Sequence, residues 1–282
     1  MFCVWGKHNE HDVPSYGRGA RAYGGHTFKT FRDCAESYLE HGGGGNGRYI
    51  RALIEKIGDR PITAIYPFDV EQPAKEMFPH QKNATRNRSV ISPIRSVFHH
   101  AYKRGWGPYV RFTALREDPP PRKKAATQVW LHTFVRQCIQ DNIPHMAALV
   151  LFMSQTGARV SEAVRLEWPE VDLVGRTVVP LKTKTGTNSS RCLTDDRVAR
   201  LYKLKETAKH GHRVFQITNR HSVNERIAAV FKRAGITYKP SHTCGRHAFA
   251  MNSLALGVDI KSTMDAGDWK SPVVFLNTYV SP

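Results

Sequence analysis

Six residues in the second half of the chain carry the chemistry this sequence could do. Tyr279 offers a phenol oxygen, a nucleophile once its proton is removed. Arg246 opens a predicted helix in the run SHTCGRH from Ser241 to His247, where backbone N–H groups and the helix dipole already favour an anion. Arg159 lies in the run TGARVSE from Thr156 to Glu162, a glycine-capped helix end leading into a new helix. Glu162, three residues on, shares its face and can hold the guanidinium. Lys184, in the run KTKTG from Lys182 to Gly186, sits at a predicted hairpin tip, where an ammonium can protonate a departing alkoxide. Lys182 is its alternative, and His242, its rival His247, and Trp269 complete the set. Taken singly, each residue is ordinary. An R-x-x-E pair is more often a surface ion pair, and a hairpin lysine more often only solubilises. Together they could hold a phosphate and attack it.

Periodicity divides the chain that must position these groups into two halves. Residues 1–26 are rich in Gly, His and Arg, lack periodicity, and read as a flexible arm. Cys3, His8 and His11 supply no fourth ligand at zinc-site spacing, so no metal is expected. Residues 27–116 read as a helical bundle. Phe28, Phe31, Ala35, Tyr38 and Leu39 share one helix face, and Tyr49, Leu53, Ile54 and Ile57 share a second. A short helix follows Pro67, and a longer one follows Thr85, kinked at Pro93. Residues 117–125, with three consecutive prolines, read as a stiff linker. Residues 126–282 alternate predicted helices with short strands at Val171–Leu173, Thr177–Leu181 and Ser190–Leu193. Gly257 suits a helix C-terminus, and Ser271-Pro272 suits the start of a last helix bearing Tyr279. The fold class expected is mainly α with a small antiparallel β-sheet, in two domains.

Lys and Arg number 42 against 24 Asp and Glu, a net charge of +18, spread along the chain rather than gathered in a tail. That balance favours a polyanion such as DNA, because neutralising phosphates releases condensed counterions. On the front bundle, Lys82, Arg86, Arg88, Arg95, Lys103 and Arg104 mark the polar faces; Arg86, Arg88, Arg95 and Lys103 are the expected DNA contacts. The longest apolar run, Met146 to Met153, is too short to span a bilayer, and no secretory signal opens the chain. Five scattered cysteines without a CxxC pair give no disulfide framework. A soluble protein of a reducing, cytoplasmic compartment is expected, with no membrane role.

The order Arg159, Lys184, His242, Arg246, Trp269, Tyr279, with the phrases TGARVSE, KTKTG, GRHAFA and a late TY, resembles the tyrosine recombinase (phage integrase) family. The resemblance spans roughly Thr27 to Tyr279. It implies a site-specific DNA recombinase in which Tyr279 attacks a scissile phosphodiester to give a 3′-phosphotyrosyl link and a free 5′-hydroxyl. Arg159 and Arg246 would clamp the non-bridging oxygens, and Lys184 would protonate the 5′-oxygen. His242 would help deprotonate Tyr279 or bind the phosphate, Trp269 would pack or donate its N–H, and Glu162 would support Arg159. The front bundle would be a core-binding domain. No cofactor is implied; the implied partners are double-stranded DNA, a homotetramer on two DNA sites and accessory DNA-bending proteins, in a prokaryotic host carrying phage or mobile-element DNA. A catalytically inactive DNA-binding relative and a type IB topoisomerase-like relaxing enzyme are the alternatives.

The sequence departs from the family's pattern in three places. His242 precedes Arg246 by four residues, not three, leaving Thr243 in the usual slot. Asp268 stands where many relatives have His, and Trp269 precedes Tyr279 by ten residues, one more than usual. Three residues follow Tyr279, where relatives often have a longer tail.

Overall fold

The computed structural model describes residues 29–41, 46–119, 123–179, 190–207 and 211–280. The expected arm, residues 1–26, lies outside them, as do Lys182 and Lys184. The chain forms two compact units that divide between Pro120 and Pro121.

The first unit is helical. Helix α1 (Phe31–Glu40) starts at Thr30, whose side chain accepts from the Asp33 N–H while Asp33 accepts in return from the Thr30 N–H. It packs on α2 (Gly47–Ile57) and on α5 (Ser92–Lys103). The short helices α3 (Glu71–Met77) and α4 (Asn83–Arg86) lie between α2 and α5 in sequence. Phe31, Ala35, Leu53, Ile54 and Ile57 are buried in the core, as their helical spacing predicts, together with Cys34, Ile50, Ile94, Val97 and Phe98.

The kink expected at Pro93 takes another form: residues 87–91 make a π-helical segment, and α5 begins anew with Pro93 in its first turn. Pro93 has no N–H to donate and its ring crowds the carbonyl a turn earlier, so the wider turn before it relieves both demands. The segment after α5 also belongs to this unit. Phe112 is buried, and Asn87 holds it by donating to the Leu115 carbonyl and accepting from the Leu115 N–H, each at 2.8 Å.

The second unit is organised around α7 (Pro144–Thr156), the apolar run noted above. It is buried on every side from Met146 to Ser154, so it shows no amphipathic stripe. Packed on it are α6 (Gln128–Gln140), α9 (Asp195–Thr207), α10 (Arg220–Ala234), α11 (Ser241–Cys244) and α12 (Arg246–Ala255). The short helix α8 (Val160–Ala163) follows α7.

Three two-residue strands, β1 (Val171–Asp172), β2 (Thr177–Val178) and β3 (Arg191–Cys192), pair antiparallel in the order β1-β2-β3. Val171 faces Val178, and Thr177 faces Cys192. These strands are shorter than their sequence runs, since the ladder pairs only two residues of each. The fold is thus mainly helical with a small antiparallel sheet. Helices α13 (Ile260–Ala266) and α14 (Pro272–Phe275) close the chain, the latter capped by Ser271 and continued by a π-helical turn over Leu276–Val280 that carries Tyr279. Among the described residues no helix is long and apolar enough to cross a membrane.

Candidate active site

The site begins where α7 ends. Gly157 takes a left-handed conformation (φ 65°) and turns the chain out of the helix, its N–H closing on the Met153 carbonyl. Two residues later Arg159 caps α8. Its N–H donates to Glu162 Oε2 at 3.0 Å and its guanidinium to Oε1 at 2.6 Å, which leaves the half-exposed head facing solvent.

Gly157 also sits under tight packing: a methyl there would lie 2.9 Å from Phe249 and 3.0 Å from the Gly267 Cα. Gly157→Ala should therefore cost about 2–4 kcal/mol of stability, the sum of left-handed strain and overpacking. Thermal unfolding read beside a Gly235→Ala control checks this, since Gly235 has the same backbone sign and open space around it.

Arg246 opens α12 after Gly245, whose backbone (φ −100°, ψ −105°) separates α11 from α12. Its guanidinium is buried. It donates to the Gly157 and Gly267 carbonyls at 2.5 Å each and to the Asp268 carbonyl at 3.3 Å, and it lies 3.6 Å above the Trp269 ring. Burial and the nearby Arg159 charge push its pKa down to about 10, so it stays cationic at neutral pH. Two guanidiniums near enough to disfavour each other's charge make a place for an anion.

Tyr279 packs beside this place. Its ring meets Phe275 at 4.9 Å, His247 at 5.2 Å and Trp269 at 5.5 Å between centroids. Burial raises its pKa above the ordinary value, against the pull of Arg246, a hydrogen bond from Trp269, and Arg159. The phenol is therefore protonated at neutral pH and needs a base to react.

Two histidines are candidates. His247 is buried, and its Nε2 meets the Lys123 carbonyl at 2.7 Å. A carbonyl only accepts, so Nε2 carries the proton and Nδ1 is the free base. His242 is exposed, 6.4 Å from His247 between ring centroids. Partial enclosure lowers its pKa, helped by the charges of Lys123, His247, Arg246 and Arg159. Burial lowers that of His247 also. Since the folded values fall below the ordinary 6.5, the unfolded chain binds protons first. Their contribution to stability is complete above pH 6.5 and is lost as the pH falls toward the folded values. Denaturation midpoints should drop between pH 7.5 and pH 5, and less so in His247→Gln.

The phage integrase family matches residues 130–282, more than half of the chain. The chain belongs to the phage integrase family. A protein of Haemophilus influenzae described as an integrase/recombinase is 24% identical over 245 residues, covering 83% of this chain and 79% of its own. The Tn1549 transposon integrase (residues 82–397), solved in complex with circular intermediate DNA, superposes with a TM-score of 0.73 at 16% identity, covering 90% of this chain and 96% of its own. A lambda integrase tetramer bound to a Holliday junction gives a TM-score of 0.68 at 16% identity, covering 88% of this chain and 76% of its own.

Of the six residues expected to act together, this integrase brings Arg159, Arg246, Trp269 and Tyr279 into one site, with His242 at its edge. Thr243, in the usual histidine slot, is buried, and its hydroxyl lacks a hydrogen-bond partner. Asp268 adopts a left-handed conformation (φ 57°) and pairs with Lys270 at 2.7 Å.

In the front unit, Arg86 turns inward, donating to the Phe78 and Pro79 carbonyls and to Asn83. Arg88 and Lys103 are exposed, and Arg95 donates to the Phe112 carbonyl on the wall of a cleft of about 530 Å³ that also holds His99, Tyr109 and Arg111.

One residue escaped the sequence reading. Arg191 on β3 is buried and meets Glu162 Oε2 at 3.1 Å and the Thr156 carbonyl at 2.5 Å. Arg191 shares a strand face with the core residue Leu193, but one such pair is too short a pattern to tell a buried charge from a solvated one.

Proposed function

We propose that this tyrosine-type site-specific recombinase cuts and rejoins duplex DNA through a 3′-phosphotyrosyl intermediate, serving integration or excision of phage or other mobile-element DNA. The observation that carries the reading is the packing of Tyr279 against Trp269, beside the buried Arg246 and the exposed Arg159.

In this reading a DNA phosphate enters with its non-bridging oxygens toward the two guanidiniums, which offset the charge gathering in the transition state. The Tyr279 oxygen attacks phosphorus as its proton leaves. His242 is the assigned partner for that proton or for the phosphate, because it is neutral and exposed; His247, with Nε2–H on the Lys123 carbonyl and its ring 5.2 Å from Tyr279, is the rival base. Lys184 returns a proton to the departing 5′-oxygen. One phosphate ester replaces another, so bond energy is conserved and rejoining is the same step reversed.

The DNA seen with the Tn1549 and lambda relatives supports duplex DNA as substrate, and the lambda tetramer supports a homotetramer joining two sites. The front unit serves in this reading as the core-binding domain, with Arg88, Arg95 and Lys103 on phosphates. Accessory DNA-bending proteins and a cytoplasmic setting belong to the same proposal.

The test uses the full chain and a pool of nicked duplexes tiling the DNA on either side of its gene. A nick just 3′ of the cleaved phosphate lets the short piece bearing the new 5′-hydroxyl diffuse away and traps the adduct. Covalent capture of one defined sequence, followed by strand exchange between two copies of it, is the expected result. Tight binding without an adduct would overturn the assignment of chemistry, and relaxation of supercoils without exchange would overturn that of recombination.

A further inference from the structure

We infer that Arg191 is a positioning residue for the phosphate-holding site: its buried guanidinium fixes Glu162, and Glu162 in turn fixes the reach of Arg159. This rests on the proposed reaction and adds a residue to it.

The Glu162 carboxylate is shared by three donors. Oε1 takes the Arg159 guanidinium at 2.6 Å, while Oε2 takes the Arg159 backbone N–H at 3.0 Å and Arg191 at 3.1 Å. Without Arg191, Glu162 would sit on a four-residue helix with only its neighbour to hold it, and the pair would be an ordinary mobile i,i+3 contact. With Arg191, whose side chain is 2% exposed, the carboxylate is anchored to β3 and the Thr156 carbonyl at the end of α7.

Placing a guanidinium there is costly. Burial depresses its pKa, and its Nε has no partner. An aliphatic residue would complete that strand face beside Leu193 at lower cost, so a fold-only role leaves the charge unexplained. β3 also follows the run that carries Lys184, seven residues upstream of Arg191. The same side chain therefore ties the strand after the expected proton donor to the turn that presents Arg159.

The chemistry of the substrate separates positioning from mere stability. Arg159 is needed because a non-bridging oxygen is charged. If that oxygen is replaced by a methyl group, the phosphorus centre is neutral. Tyr279 still forms the P–O bond, the 5′-oxygen still leaves, and the protons travel as before, but less charge needs offsetting.

Single-turnover cleavage should be compared on two nicked duplexes of the captured sequence, one with the ordinary phosphate and one with a methylphosphonate. Arg191→Gln should slow the first about 10–100-fold and the second less than about threefold, matching the pattern of Arg159→Ala. Glu162→Gln should behave alike, and the double variant should be no worse than either. Arg191→Lys should recover part of the rate. If Arg191→Gln does not fold, Glu162→Gln carries the same comparison.

Equal losses on both duplexes, no loss on either, or additive losses in the double variant would overturn the inference. Failure of the wild-type protein to form any adduct would instead sink the proposed reaction.

Discussion

Tyr279→Phe should abolish covalent capture of DNA, lowering adduct formation by at least ~10⁴-fold, while leaving binding and fold intact. The ring that packs against Phe275, His247 and Trp269 is unchanged by the substitution, and only the hydroxyl goes. Loss of one hydrogen bond from Trp269 should alter stability by about 1 kcal/mol or less. The measurement is denaturing electrophoresis of protein with the nicked duplex, read beside a mobility-shift assay under the same salt. An adduct from the Phe variant would assign the nucleophile elsewhere. The raised pKa of the phenol adds a second expectation: the wild-type rate climbs with pH above neutrality, because deprotonation limits attack.

Arg246→Ala should harm both chemistry and fold. Its guanidinium meets three carbonyls and the Trp269 ring. Removing it leaves those carbonyls without a partner in a buried place, at about 3–5 kcal/mol. For a chain of this size the melting temperature should fall by roughly 8–15 °C. Single-turnover cleavage should drop ~10³-fold, as when one charge-stabilising donor is removed elsewhere. Arg246→Lys separates the two effects. An ammonium keeps the charge but lacks the planar fork that bridges Gly157, Gly267 and Asp268, so part of the stability should return while cleavage stays depressed about 100-fold. Recovery of cleavage in step with melting temperature would mean that Arg246 acts on the fold alone.

The sequence made the scaffold readable where local rules and packing agree. The helices α1 and α2 follow from apolar spacing, α7 from a continuous apolar run, and the turn at Gly157 from a glycine placed just past that run. Four members of the site were legible because the chain order of Arg159, Arg246, Trp269 and Tyr279 carries a family pattern that no single residue carries. Other features depend on packing. The π-helical turns before Pro93 and around Tyr279 leave no period of their own in five residues. Arg191 hid in a strand that pairs over two residues, where alternation is too short to mark a buried charge. The inward turn of Arg86 was equally hidden, because spacing puts a side chain on a face but does not say whether nearby carbonyls will claim it.

The seat of Arg246 has one more consequence. The carbonyls it holds lie just past the C-terminal ends of α7 and α13, the negative poles of two helices. The cation is therefore held in place by the resting protein's own dipoles, before any DNA arrives. An incoming phosphate would find this half of its clamp already rigid, so little ordering cost would fall on the Arg246 side during reaction. Arg159, half-exposed, is the partner whose position must still be settled, and this is why the props behind it matter most.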